Sequence, residues 1–253
     1  MVVNTLKDRL RSRELVVGSF VYLPSPGLTE IVGLTGFDFV VIDMEHGSVG
    51  IETAEEMVRA AEVAGVVPMI RVTANSPHLI LRALDCGAAG VHIPDICDRK
   101  GAESAVASSK YGPQGSRGLA GVRAAAYGLK ESLPEYTLKS NLQTLVVAHI
   151  EDFRAIERLD ELLGVEGIDV YYIGPVDLSN SLGIPGQTAN PRVKELVEQA
   201  IHRITSANKM AGCLATDLTT AKRYLDLGVR YVATHAVRLM VSASRQFLEE
   251  LRQ

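Results

Sequence analysis

Tryptophan is absent from this 253-residue chain, and aromatic residues make up only 5% of it. Cysteine is scarce: Cys86, Cys97 and Cys213 are scattered, without the paired spacing of a zinc site. So sparse and odd a set excludes a disulfide framework and reads as reduced thiols in a cytoplasmic protein, serving as small core residues. No basic run occurs, and 26 Lys and Arg stand against 30 Asp and Glu, for a net charge of −4. With so few aromatics, that balance argues against nucleic acid as a partner. The longest apolar runs are strand-length, so no membrane span is expected. A signal peptide is not expected either, because Lys7, Arg9, Arg11 and Arg13 are interleaved with Leu6 and Leu10 as on a surface helix.

What is present is a 47% apolar chain, enough for one sizeable core. Two apolar runs near the middle, 144–151 and 169–179, read as buried strands, and each ends in an acid, Glu151 or Asp177. Residues 152–164 between them have helical spacing, with Phe153, Ile156, Leu159, Leu162 and Leu163 on one face. A βαβ unit makes the strands parallel, so both acids leave the sheet at one edge. Two carboxylates side by side there make a hard-cation site.

Six further strands are expected at 15–22, 37–43, 67–71, 90–94, 210–215 and 231–234. Helices are expected at 4–13 (Asn4 as N-cap), 28–34, 51–64, 77–86, 99–110, 191–208, 218–227 and 237–251, with Gly36, Gly87 and Gly228 as stops. Eight strands alternating with helices roughly every 25–30 residues predict a (β/α)8 TIM barrel, one domain over 1–253. An open doubly wound sheet would carry a glycine fingerprint after the first strand. Leu23-Pro24-Ser25-Pro26-Gly27 stands there instead. A Gly/Arg-rich loop at 111–127 carries Arg117 and Arg123 and reads as a lid, a subunit contact or a plain solvated loop.

In such a barrel the active site lies at the carboxyl ends of the strands. Those ends hold Asp43, Glu45 and His46, then Arg71, Asp95, Glu151, Asp177 and His235. A base, a cation and a two-carboxylate metal site thus surround one mouth, although Arg71 could simply pair with Glu45. Schiff-base chemistry would need a lysine inside the barrel, and the lysines fall in expected helices, loops or strand approaches. No glycine-rich anion nest follows the last two strands, which points away from a phosphorylated substrate.

Several stretches resemble the HpcH/HpaI family of class II pyruvate-dependent aldolases. They are Gly36-Phe37-Asp38-Phe39, Ile42-Asp43-Met44-Glu45-His46-Gly47, Ile70-Arg71-Val72, Leu84-Asp85-Cys86-Gly87-Ala88, Tyr111-Gly112-Pro113-Gln114-Gly115-Ser116-Arg117-Gly118, Ile150-Glu151 and Ile173-Gly174-Pro175-Val176-Asp177-Leu178-Ser179. The resemblance implies that Glu151 and Asp177 hold a divalent cation (Mg²⁺, Mn²⁺ or Co²⁺) that chelates a 2-oxo acid as a Lewis acid. It implies that backbone N–H groups in the stretch Gly174 to Asp177 bind the pyruvyl carboxylate, with Pro175 in the turn and Val176 in contact. His46 would be the base, its basicity raised by Asp85, and Arg71 would stabilise the enolate oxygen. Cleavage of a 4-hydroxy-2-oxo acid through a metal-bound pyruvate enolate would release pyruvate and an aldehyde. The resemblance further implies a homo-oligomer, trimer or hexamer, that exchanges C-terminal helices between subunits. On pattern alone, the closing helix either seals the barrel or packs on a neighbour.

Departures from the family pattern bear on specificity. His149 replaces a glutamine that touches substrate, and either donates a hydrogen bond or becomes a third metal ligand. Thr234-His235-Ala236-Val237 replaces a Gly-x-Asp stretch, and Asp95 follows the strand-four proline where Met or His is common. A decarboxylase or other lyase using the same enolate remains open, as does a non-catalytic 2-oxo-acid binding protein.

Overall fold

All eight expected strand segments form strands in the computed structural model, which describes residues 6–253. They are β1 (Val16–Val21), β2 (Phe39–Asp43), β3 (Val67–Arg71), β4 (Gly90–Ile93), β5 (Leu145–Ile150), β6 (Val170–Ile173), β7 (Ala211–Leu214) and β8 (Tyr231–His235). Neighbours in sequence are neighbours in the sheet, and every pairing is parallel. β1 closes on β8, with Val16 opposite Tyr231 and Phe20 opposite His235, so the sheet is a barrel.

The strand period of two sorts the side chains into two cores. Val40, Ile42, Ile70, Val91 and Ile173 point outward into the layer shared with the helices. Phe39, Val41, Met69, Val147, Tyr172 and Tyr231 point inward and fill the lumen. Phe39 stacks on Tyr231 with ring centroids 4.2 Å apart. A Cβ on Gly18 would collide with the Phe39 ring, so only glycine lets that ring lie across the lumen. Leu6 and Leu10, from the helix Leu6–Arg11, join the same cluster and plug the amino end of the barrel. The expected N-cap, Asn4, lies outside the described residues.

The structure revises several expected elements. The run 169–179 is a strand only to Ile173, because Pro175 has no N–H for a ladder and its fixed φ suits a helix start. Asp177 therefore sits in the first turn of the helix Pro175–Ser181. The helix expected at 152–164 is two short ones, Phe153–Glu157 and Leu159–Leu163. A helix not anticipated, Leu133–Gln143, starts at a capping box of Ser132 and Glu135 with Pro134 in its first turn. The glycine stops hold: Gly36, Gly87 and Gly228 take φ of 94°, 104° and 94°. The 111–127 loop lies at the amino end of the barrel, where Arg123 donates to the Cys86 carbonyl and pairs with Glu62. That is the end opposite the rim acids, so within one chain the loop is no lid for them. The closing helix, Ala236–Leu251, does not seal the barrel: every residue from Arg238 to Leu251 is exposed. Among the described residues, no helix is long and apolar enough to cross a membrane.

Candidate active site

Inward parity carries Asp43, the last residue of β2, and Arg71, the last of β3, into the mouth of the barrel. Arg71 grips Asp43 with both prongs, Nε to Oδ1 at 2.8 Å and Nη2 to Oδ2 at 2.5 Å. Its third nitrogen, Nη1, lies 3.1 Å from Glu45 Oε2, and the Phe20 ring supports the guanidinium from 5.0 Å. Arg71 thus pairs with Glu45, as the sequence allowed, and also with Asp43. Asp43 accepts the backbone N–H groups of Glu45 and His46 at 3.1 and 3.4 Å, which shapes the turn that presents them. Burial pushes the Asp43 carboxyl up, but Arg71 and these amides more than offset it and hold it below its ordinary range.

Glu45 has the opposite balance. Burial, together with the carboxylates of Glu151, Asp43 and Asp177, outweighs Arg71 and lifts its pKa to about 7. Such mutual repulsion among acids is what a bound cation relieves. His46 stands at the exposed edge of the mouth, its Nε2 3.9 Å from Glu45 Oε2 and its side chain 60% exposed.

Glu151 follows β5 and is buried. Its Oε1 accepts the Asp95 N–H at 3.0 Å, and its Oε2 lies 3.2 Å from His149 Nδ1. Asp95 reaches that position through a left-handed backbone, φ 58°, which aspartate tolerates better than most residues. Its contribution here is the amide. Burial raises the Glu151 pKa, but His149, the Asp95 amide and Arg71 together hold it below the ordinary range. Across the gap, Asp177 makes no hydrogen bond or ion pair with its side chain among the described residues.

Phe20, Arg71, His149, Glu151, Tyr172, Gly174, Pro175, Val176, Asp177, Leu214 and His235 surround one cavity of about 50 Å³. Seven of the nine site residues expected from the sequence line it; His46 borders its mouth. Asp85 does not join them. It ends the helix Pro77–Asp85, which runs back to the amino end of the barrel, and pairs there with Arg117 at 2.6 Å. Arg117 is buried over the Tyr111 ring, so within this chain Asp85 anchors the 111–118 loop and does not reach His46. Phe20, Tyr172 and Leu214 were not expected here, nor were His92 and Tyr231 beneath the cavity. Inward parity on their strands is the signal that finds all five.

No group of three or more His, Cys, Asp and Glu among the described residues is arranged to hold a metal alone. The carboxylates facing the cavity are those of Glu151 and Asp177, a pair that suits a hard cation keeping several water or substrate oxygens. Room is provided by Gly174, where a Cβ would stand 2.9 Å from Glu151 Oε2. These residues fit a divalent cation. A second cavity, of about 600 Å³, adjoins the first and shares Pro175, Val176 and Leu214 with it.

The sequence matches the family described as HpcH/HpaI aldolase/citrate lyase over residues 17–242. A hydroxypyruvate/pyruvate aldolase from Pseudomonas aeruginosa is 35% identical over 231 residues, covering 91% of this chain and 86% of the relative. A 5-keto-4-deoxy-D-glucarate aldolase from Shigella boydii serotype 18 is 33% identical, covering 91% and 89%. The crystal structure of a family protein from Burkholderia cenocepacia J2315 superposes with a TM-score of 0.93 at 32% identity, over 99% of this chain and 100% of that one. Sequence and fold therefore agree along nearly the whole barrel, and the chain belongs to the HpcH/HpaI aldolase/citrate lyase family.

Proposed function

We propose that this protein is a divalent-cation-dependent aldolase that cleaves, or forms, a 4-hydroxy-2-oxo acid, with pyruvate and an aldehyde as the other side of the reaction. The observation that carries the reading is the convergence of Arg71, Glu151 and Asp177 on one cavity at the carboxyl rim. Glu151 and Asp177 hold the cation, for which Mg²⁺, Mn²⁺ and Co²⁺ are the candidates. When bound, it supplies positive charge beside the keto oxygen and favours the enolate.

The chain's own groups do the rest. Backbone N–H groups between Gly174 and Asp177 receive the pyruvyl carboxylate, and Pro175 and Val176 form the wall beside it. His46, at the open edge, takes the proton of the 4-hydroxyl. As the C3–C4 bond breaks, its electron pair moves into the C2–C3 bond, C4 becomes the aldehyde carbon, and negative charge grows on the C2 oxygen. Arg71, already oriented by Asp43, Glu45 and Phe20, stabilises that charge without reorganisation. Protonation at C3 completes pyruvate. The adjoining cavity accommodates the aldehyde half, and Arg238, Thr216 and Thr220 in its wall suit an oxygen-rich acceptor.

The exposed closing helix supports assembly through exchange of that helix between copies. Leu239, Met240, Phe247 and Leu251 are 46%, 53%, 65% and 71% exposed in the single chain.

Pyruvate release from a panel of unphosphorylated 4-hydroxy-2-oxo acids, assayed with each of the three metals, tests the reading. At least one substrate should turn over with stoichiometric aldehyde. Carbon dioxide release from oxaloacetate, with no aldol cleavage of any substrate, would replace the aldolase with a decarboxylase.

A further inference from the structure

Below the rim, four buried side chains stand in single file across the lumen. Tyr231 Oη lies 2.8 Å from His92 Nε2, His92 Nδ1 lies 3.0 Å from His149 Nε2, and His149 Nδ1 lies 3.2 Å from Glu151 Oε2. One set of proton positions satisfies the whole file. A carboxylate only accepts, so His149 carries its proton on Nδ1 and presents a lone pair at Nε2. His92 then donates from Nδ1 and accepts at Nε2, where the Tyr231 hydroxyl donates. The reverse direction would set the His149 lone pair against the Glu151 oxygen. It would also leave the hydroxyl hydrogen of Tyr231 without an acceptor among the described residues. The surroundings keep His92 neutral, as this arrangement requires: complete burial disfavours its charged form first, and the positive charge of Arg71 adds to that.

We propose that Tyr231 and His92 are positioning residues that lock His149 as a single-tautomer donor to Glu151 and thereby hold it off the cation. The inference rests on the reading of Glu151 as a cation ligand. The sequence also leaves His149 open as a third ligand. In the structure both ring nitrogens are engaged, one giving a proton to Glu151 and the other receiving one from His92. Stacking on Tyr172, with centroids 4.9 Å apart, fixes the plane of the ring. His149 then gives the cation no nitrogen donor, and the paired carboxylates of Glu151 and Asp177 favour Mg²⁺ or Mn²⁺ over a softer ion such as Zn²⁺.

Two measurements decide the matter without an activity assay. Long-range ¹H–¹⁵N NMR of the metal-free protein, with its six histidines assigned by substitution, reads the tautomers directly. Both His92 and His149 should be Nδ1–H, and an Nε2–H tautomer at either would overturn the proposal. Mn²⁺ titration followed by electron paramagnetic resonance, on variants shown to fold by circular dichroism, reads the consequence. His149→Gln keeps an N–H for Glu151 and should bind within about threefold of wild type. His149→Phe should bind about 10- to 100-fold more weakly, as for loss of an outer partner of a metal ligand. Tyr231→Phe frees the file to reverse, and should weaken Mn²⁺ roughly tenfold while raising the Zn²⁺ to Mn²⁺ affinity ratio. Unchanged Mn²⁺ affinity in Tyr231→Phe, or His149→Gln binding as weakly as His149→Phe, would also overturn it. If the wild type bound no Mn²⁺ at all, the cation reading would fail, and the tautomers would still decide the file.

Discussion

Arg71 is held in place before any substrate arrives, and this shapes what its substitution will show. Arg71→Ala removes the group beside the developing enolate, and turnover should fall by about 10²–10³. The same change leaves Asp43 buried without its partner, an effect of about 3–5 kcal/mol on stability. Arg71→Lys separates the two effects: it keeps a positive charge near Asp43, so the fold should survive, but it lacks the planar fork and should restore little turnover. Turnover numbers and denaturant unfolding of both variants check this, and near-normal turnover in Arg71→Ala would remove Arg71 from the mechanism. Glu45 offers a pH test. Its folded pKa of about 7 lies above the ordinary value of 4.5, so between those values the folded state holds a proton that the unfolded chain releases. Stability of the metal-free protein should therefore fall as pH rises through this window, by at most about 3 kcal/mol. Glu45→Gln should lose that slope, and unfolding curves at pH 5 and pH 8 will show whether it does.

At the scale of elements, the eight strands and the polarity of the barrel were legible because hydrophobic runs, glycine stops and spacing all agreed. Elements differ from the expectation where a local signal overrides the hydrophobic run. Pro175 ends β6 and starts a helix, yet the apolar residues on either side of it read as one strand. The Ser132 and Glu135 capping box is the sequence signal for the helix Leu133–Gln143. Rim residues were found by looking at strand ends. That rule includes Asp43, Arg71 and Glu151 but misses His92 and Tyr231, which inward parity places one layer down. Asp85 came from resemblance alone, and the end of its helix carries it away from the rim. The closing helix yields a prediction of its own. If it is exchanged between copies, the protein should run in light scattering well above the 27.3 kDa of one chain. The double change Phe247→Asp and Leu251→Asp should shift it toward monomer. A wild-type monomer would contradict helix exchange.

For the whole molecule, the parallel barrel separates two ends. One is closed by Leu6 and Leu10 and clasped by the 111–127 loop; the other carries every candidate cation ligand. Among the described residues, no strand contains a lysine. Lys110 is buried and its pKa is lowered to about 7, chiefly by burial, but it donates to the carbonyls of Asn141 and Thr144 at the amino end. As proposed, carbon–carbon cleavage depends on a cation held by Glu151 and Asp177 and on no imine. The most direct measurement is pyruvate release by one enzyme sample before chelation, after exhaustive chelation, and after Mg²⁺, Mn²⁺ or Co²⁺ is returned, with a parallel aliquot treated with borohydride and pyruvate. Chelation should abolish activity, returned metal should restore it, and borohydride should have no effect. Full activity in the metal-free protein, or a reduced pyruvyl adduct on any lysine, would contradict the proposal.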